Sequence, residues 1–297
     1  MELEPIALLL SSENIMHHQH KLYAADFAFL NSSGNYDFNV QCEMLKDIGY
    51  DAIQHSVWDC SPPHAASYLS DVQQRHQLEI IGLYVIVDLN LGPMHPRNTG
   101  TLAVLEELDG CKVVNMPVRS PGSDERATLQ WFERALEIAD RRGIDLLLYP
   151  HHGFWMDHYS VAVDLCKKLD HPRLGIAYGS HPWFCMSKGG SPLAALKAVL
   201  PHLRMLNLAG SRLSPLGFNQ IATIEPLDSG ELDTLAFLGT AKSLGYEGPI
   251  GYMGFMEGGN PYVKLKRSLT ALHEMLDVLE RHPHWVRHIT DATASSR

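Results

Sequence analysis

The sequence predicts a single-domain α/β fold, a (β/α)8 TIM barrel, and three observations predict it. Eight apolar runs of strand length alternate with eight helical patterns along 297 residues. One grammar recurs three times, at Lys46-Asp47-Ile48-Gly49-Tyr50-Asp51-Ala52-Ile53, Arg141-Arg142-Gly143-Ile144-Asp145-Leu146 and Lys242-Ser243-Leu244-Gly245-Tyr246-Glu247-Gly248-Pro249-Ile250. Each segment closes a helix with basic residues and a glycine, then opens an apolar strand. Glycine just past a helix end supplies a left-handed turn, and Lys or Arg suits the negative end of the helix dipole. Third, no long polar linker divides the chain, and α/β barrels commonly fill about 250 residues as one unit. A doubly wound open sheet is the alternative topology.

The first predicted strand is the apolar run 6–10, followed by a long irregular stretch, 13–38. Helix 39–48 leads through Gly49 into strand 52–57, and helix 63–76 into strand 79–87. The irregular stretch 90–100 precedes helix 102–108 and strand 112–117. Helix 124–142 has a good N-cap in Ser123. Its Leu129, Phe132, Leu136 and Ala139 recur at helical spacing, so that face is expected to be buried. Gly143 opens strand 145–149, and helix 158–169 follows. Pro172 stands just before strand 174–178, as a boundary residue should. Irregular stretch 181–191, helix 192–200, strand 204–208 and irregular stretch 209–229 come next. Helix 231–244, strand 249–253 and helix 262–281 complete a barrel expected over 1–283, with a tail over 284–297. Each long irregular stretch follows the carboxyl end of a strand, the face on which barrels place their sites.

Composition excludes several functions. The net charge is −10, with no basic stripe, so nucleic acid is not an expected partner. Cys42, Cys60, Cys111, Cys166 and Cys185 are an odd number with no two-residue spacing, which reads as reduced packing thiols. The start Met1-Glu2-Leu3-Glu4 is acidic, and 6–10 is too short for a signal or a membrane span. The expectation is a cytoplasmic protein with no membrane association. Lys188-Gly189-Gly190 does not directly follow a strand and lacks the dinucleotide pattern, and no Gly-x-Ser-x-Gly elbow occurs.

Residues at or just past the strand ends are the site candidates: Ser11, Ser12, His55, Asp59, Asp88, Asn90, Arg119, His151, His152, His181, Asn207, Met253 and Glu257. Imidazoles move protons near neutral pH and bind transition metals, which singles out His151, His152 and His181 among the 17 histidines. His17, His18 and His20 lie in the loop after the first predicted strand. In Tyr149-Pro150-His151-His152-Gly153-Phe154-Trp155 two imidazoles are followed by aromatic rings, and Trp155 suits either a sugar face or the barrel core. Carboxylates are sparse, which disfavours a hard-cation site, whereas a histidine-rich site suits zinc. Arg119 can pair with a substrate carboxylate or phosphate, or with a surface acid.

These residues carry a resemblance. The chain is similar to the sugar phosphate isomerase/epimerase family of the xylose isomerase-like barrel superfamily, best over 45–55, 147–155, 170–181 and 230–267. The phrase Leu-Tyr-Pro-His-His-Gly-Phe-Trp at 148–155 resembles a run in one branch of that family. The resemblance implies a divalent metal held by two glutamates, an aspartate and a histidine at strand ends, with the glutamates also moving the proton. Carried over, the fifth-strand glutamate falls at Tyr149, the sixth-strand aspartate at Tyr178 or Gly179 and its histidine at His181. The seventh-strand position is Asn207, and the eighth-strand glutamate falls at Met253.

The resulting expectation is a sugar or polyol isomerase/epimerase-like enzyme that takes a proton from beside a carbonyl. His151, His181 and Arg119 are its catalytic candidates. His55, Asn207, Trp155, Tyr149, Tyr178 and Met253 are its substrate-binding candidates. The cofactor is either zinc or manganese in a non-standard site drawn from His151, His152 and His181, or none. Alternatives are a non-catalytic sugar-binding barrel, a lyase on a keto-sugar derivative, and a metal-dependent nuclease disfavoured by charge. The expected partners are a small carbohydrate and, at most, further copies of the chain.

Overall fold

Parallel strands close on themselves around the chain in the computed structural model, which describes residues 19–34, 36–57, 68–121 and 125–286. The strands are β1 (Leu22–Ala25), β2 (Ala52–Ser56), β3 (Glu79–Tyr84), β4 (Val87–Asp88), β5 (Val113–Met116), β6 (Val118–Ser120), β7 (Asp145–Leu148), β8 (Leu174–Gly179), β9 (Leu203–Leu208), β10 (Leu213–Phe218) and β11 (Ile250–Tyr252). The barrel runs β1, β2, β3, β5, β7, β8, β9, β11 and back to β1, all parallel. Closure excludes the open doubly wound sheet. β4 and β6 form a separate parallel pair beyond the ends of β3 and β5.

The helices are α1 (Phe38–Ile48), α2 (Leu69–His76), α3 (Pro96–Glu107), α4 (Glu125–Arg142), α5 (Tyr159–Leu169), α6 (Ser180–Ser187), α7 (Leu193–Val199), α8 (Thr234–Ser243) and α9 (Pro261–Arg281). Among the described residues no helix is long and apolar enough to cross a membrane. The recurrent helix–glycine–strand grammar holds, because Gly49, Gly143 and Gly245 all take positive φ at the turns into β2, β7 and β11. On α4, Phe132, Leu136 and Ala139 are buried as the spacing predicts.

Packing divides into two layers. Leu45, Leu105, Phe132, Leu165, Leu196, Phe237, Leu272 and their neighbours fill the space between helices and barrel. Tyr23, Ala25, Ala52, Ile81, Leu147, Ala177 and Met205 fill the barrel itself, with Tyr84, Tyr149 and Met253 toward its carboxyl end. Buried apolar area of this kind is the dominant favourable term in folding.

Four expectations change. The first barrel strand is Leu22–Ala25, inside the stretch read as a loop, and the run 6–10 lies outside the described residues. β1 is four residues long and buried on both faces, so it carries no alternation to reveal it. Second, α3 starts at Pro96, where proline is tolerated because its missing N–H has no partner at a helix start. His95 caps it by accepting from the Arg97 N–H. Third, predicted strand 79–87 is interrupted after Tyr84. Fourth, α6 springs directly from β8 in a stretch read as irregular, and buried apolar residues on most of its faces leave no helical period in the sequence. Ser123, Cys60 and the start of helix 63–76 lie outside the described residues. Cys42, Cys111, Cys166 and Cys185 are buried thiols.

Candidate active site

A cavity of about 330 Å³ opens at the carboxyl ends of the barrel strands. Arg119, Tyr149, His151, His152, His181, Asn207 and Met253, all predicted site residues, line it together. Phe154, one of the aromatic rings that follow the two imidazoles, lines it too, and Phe27, Tyr84, Ile86, Asn219, Ile224 and Phe255 add walls that the sequence did not reveal.

The His151 loop is set by local backbone bonding. After β7, the His151 N–H donates to the Met156 carbonyl at 2.7 Å and the Phe154 N–H to the His151 carbonyl at 3.1 Å. Gly153 turns the loop with φ +82°, and the Asn219 amide leaves no room for a side chain there. The Trp155 N–H then donates to the Arg119 carbonyl at 2.9 Å, which fastens this loop alongside β6. In β6, Val118 is buried and Arg119 exposed, the alternation that sends Arg119 to the cavity mouth. The rings of His151 and Phe154 stack at 4.1 Å, and the Arg119 guanidinium carbon lies 5.4 Å from the Phe154 centroid.

The tautomer of His151 follows from its bonding. Its Nδ1 lies 2.8 Å from the His152 carbonyl, which only accepts, so Nδ1 carries the proton and Nε2 the lone pair. Burial lowers its pKa to about 4, and the His152 and Arg119 charges push the same way. The ring is therefore neutral at pH 7. Burial, followed by the neighbouring His151 and His152, lowers His181 to about 3. Both His181 nitrogens face protein groups, Nδ1 the Ser211 hydroxyl at 2.7 Å and Nε2 the Cys185 sulfur at 3.5 Å. The Ser180 hydroxyl fixes α6 by bridging the Ala209 N–H and carbonyl at 3.0 and 3.3 Å.

Asn207 is 1% exposed. Tyr23 donates its hydroxyl to Asn207 Oδ1 at 2.5 Å, and Asn207 Nδ2 has no hydrogen-bond partner. A buried amide donor without an acceptor is costly, so this one is poised for an oxygen brought into the cavity. Tyr149 and Gly179 form a complementary pair. A Cβ on Gly179 would stand 3.0 Å from the Tyr149 hydroxyl, so the tyrosine occupies room that a side chain at 179 needs. Burial raises the Tyr149 pKa, and the phenol stays protonated.

Several predicted residues lie elsewhere. His55 points away from the barrel axis, with Nδ1 2.9 Å from Asp26 Oδ2, Nε2 2.5 Å from the Tyr68 hydroxyl and its ring on Phe38. Trp155 packs against the outer core and Tyr178 against Phe237 and Tyr159, so neither lines the cavity. Asp88 is buried and does not line the cavity, Asn90 is exposed, and Glu257 bonds to the Tyr252 hydroxyl and pairs with Lys264. His20 bonds to the Gly248 carbonyl, far from the mouth. Ser11, Ser12, His17, His18 and Asp59 lie outside the described residues.

The residues present do not fit the metal that the resemblance implies. The positions of its carboxylates hold Tyr149, Gly179 or Tyr178, and Met253, none of them a hard oxyanion. Among the described residues no group of three or more His, Cys, Asp or Glu side chains is arranged to hold a metal ion. The imidazoles of His151 and His181 are turned through Nδ1 to protein oxygens, at 2.8 and 2.7 Å.

Residues 42–282 match the family described as xylose isomerase-like TIM barrel. No curated protein sequence matches the chain. Among solved structures, 3-keto-D-glucoside 4-epimerase YcjR from E. coli is 16% identical with a TM-score of 0.67, over 86% of this chain and 99% of that one. A D-tagatose 3-epimerase-like protein is 17% identical with a TM-score of 0.66, over 88% and 98%. A xylose isomerase-like TIM barrel/4-hydroxyphenylpyruvate dioxygenase fusion protein is 18% identical with a TM-score of 0.68 over 89% of this chain, which spans 44% of the fusion's length. At these identities the likeness is one of fold.

Proposed function

This chain belongs to the xylose isomerase-like TIM barrel family, and we propose that it is an isomerase/epimerase-like enzyme that enolises a sugar- or polyol-derived carbonyl compound with side chains alone. The observation that carries this reading is the meeting of a neutral imidazole and an unsatisfied amide donor in one cavity, His151 and Asn207. The epimerases among the fold neighbours support the reaction class.

His151 Nε2 takes the proton from the carbon beside the substrate carbonyl. The C–H electron pair becomes the carbon–carbon double bond of the enolate, and the carbonyl pair moves onto oxygen. Asn207 Nδ2 donates to that oxygen, and a donor already aimed there costs little reorganisation as charge develops. The imidazolium then returns the proton to the same carbon after the enolate has turned its other face to the ring, for epimerisation, or to the former carbonyl carbon, with the proton of the neighbouring hydroxyl passing to the enolate oxygen, for isomerisation. His181, with both nitrogens engaged, holds α6 and the cavity wall in place. A lyase differs only in the last step, in which the enolate expels a β-leaving group.

Solvent-exchange NMR tests this. Incubation with a panel of keto-sugars and keto-acids in D2O is expected to put deuterium on the carbon beside the carbonyl. His151→Gln is expected to slow exchange about 100-fold or more. Prolonged chelator dialysis of tag-free protein is expected to leave the rate unchanged. Saturable binding without exchange across the panel favours the second reading, a barrel that binds without turnover, which the missing family carboxylates support.

A further inference from the structure

We propose that the cavity is built for the carboxylate of an organic acid with a flat, largely apolar body, gripped by the guanidinium of Arg119. This deepens the reading above and rests on it for the identity of the site. Phe27, Ile86, Phe154, Met253 and Phe255 face the cavity with hydrocarbon. The Phe27 ring packs edge-on against Tyr84 and Phe255 at 4.7 and 6.0 Å, which makes a continuous aromatic wall. A chain with a hydroxyl on every carbon needs a polar partner for each, and such a wall offers few, so the sugar- or polyol-derived substrate of the reading above is one that carries a carboxylate and few hydroxyls.

Arg119 is the fixed cation of this lining, and among the described residues no Asp or Glu lines the cavity. Nor does any carboxylate among the described residues pair with Arg119. In a chain of net charge −10, an arginine held against a ring at an apolar mouth with no protein counter-ion calls for an anion from outside. A planar fork matches a carboxylate in two parallel hydrogen bonds. A phosphate dianion asks for more donors than one guanidinium supplies.

The pairing also has a consequence for the base. Arg119 holds a positive charge near His151 and disfavours its protonation. A bound carboxylate cancels that charge and favours the imidazolium that forms during proton abstraction. Substrate thereby strengthens the base that acts on it.

Calorimetric titration of the whole protein with benzoate, cyclohexanecarboxylate, benzamide, D-fructose and inorganic phosphate tests the assignment. Both carboxylates are expected to bind about tenfold or more tightly than benzamide, with fructose and phosphate weaker still. Arg119→Met is expected to bring the carboxylates to the benzamide level with an unchanged unfolding temperature, and Arg119→Lys to recover part of the difference. His151→Gln is expected to keep carboxylate binding. Equal binding of benzamide, tighter binding of phosphate or fructose, no effect of Arg119→Met, or no binding by either carboxylate overturns the inference. Deuterium exchange on neutral keto-sugars that survives Arg119→Met overturns it while leaving the enolising reading intact. Carboxylate binding without exchange does the reverse.

Discussion

His151 and His55 both stand at strand ends, yet only one lines the cavity, and the difference comes from parity. Successive residues of a strand point to opposite faces, so the inward position of Gln54 turns His55 outward. The sequence could not reveal this, because an inward glutamine breaks the apolar-in pattern from which facing is read. The same parity turns Tyr178 outward between Ala177 and Gly179. Arg119, His151, His181 and Asn207 were legible because residue type and strand-end position agreed, and Tyr149 and Met253 through the family resemblance, as the positions of its fifth- and eighth-strand glutamates. Phe27 and Phe255 were not, since a phenylalanine in the irregular stretch after a strand carries no sign in the sequence of its direction. Gln54 supplies a prediction at this scale. It is fully buried and neither amide atom has a hydrogen-bond partner. Replacement by methionine removes an unsatisfied group at similar volume, and it should stabilise the fold by roughly 1 kcal/mol. A shift of the urea midpoint to higher concentration with an unchanged slope checks this. His151 supplies another. With its pKa lowered to about 4, the acid limb of kcat/KM for the exchange reaction should fall near that value rather than near 6.5. A limb near 6.5 assigns the base elsewhere.

Among elements, the strand that closes the barrel was the hardest to read and the helix–glycine–strand joints the easiest. A positive-φ glycine after basic residues is a local signal, complete within a few residues. β1 is recognisable only through partners far along the chain, Ile250 beside Leu22 and Ala52 beside Tyr23. Its fit depends on Gly251. A Cβ there would enter the ring of Tyr23, whose hydroxyl holds Asn207 Oδ1. Gly251→Ala should therefore move Tyr23, loosen closure and misdirect the Asn207 donor. The expected cost is about 1–3 kcal/mol of stability, the usual range for overpacking. Thermal unfolding checks the first effect, and the second should appear as a lower exchange rate with binding of benzoate retained. A variant as stable and as active as the parent shows that closure does not depend on this contact.

Across the whole molecule, the mouth of the barrel couples chemistry to acid stability. His151 and His181 sit in low-dielectric walls that keep both neutral, with pKa values lowered to about 4 and about 3. In the unfolded chain each returns to about 6.5. Between these values the unfolded state binds protons that the folded state refuses, so stability falls as pH falls. The contribution is fully present above about 6.5 and is lost progressively as pH drops toward 4 and 3. With each pKa unit equivalent to ~1.4 kcal/mol, the two groups together amount to several kcal/mol. The unfolding temperature of the parent should therefore decline steeply from pH 6.5 to 4.5. His181→Asn, which keeps a polar group beside Ser211 and removes one titrating ring, should flatten that decline even if it lowers stability at pH 7.5. Comparing slopes rather than absolute temperatures separates the proton linkage from any loss of packing. An unchanged slope in both His181→Asn and His151→Gln shows that other groups set the acid limit. The desolvation that leaves His151 unprotonated and ready to accept a proton thus carries a stability cost on acidification, and both effects have one origin in the enclosure of the cavity by Tyr84, Phe154 and their neighbours.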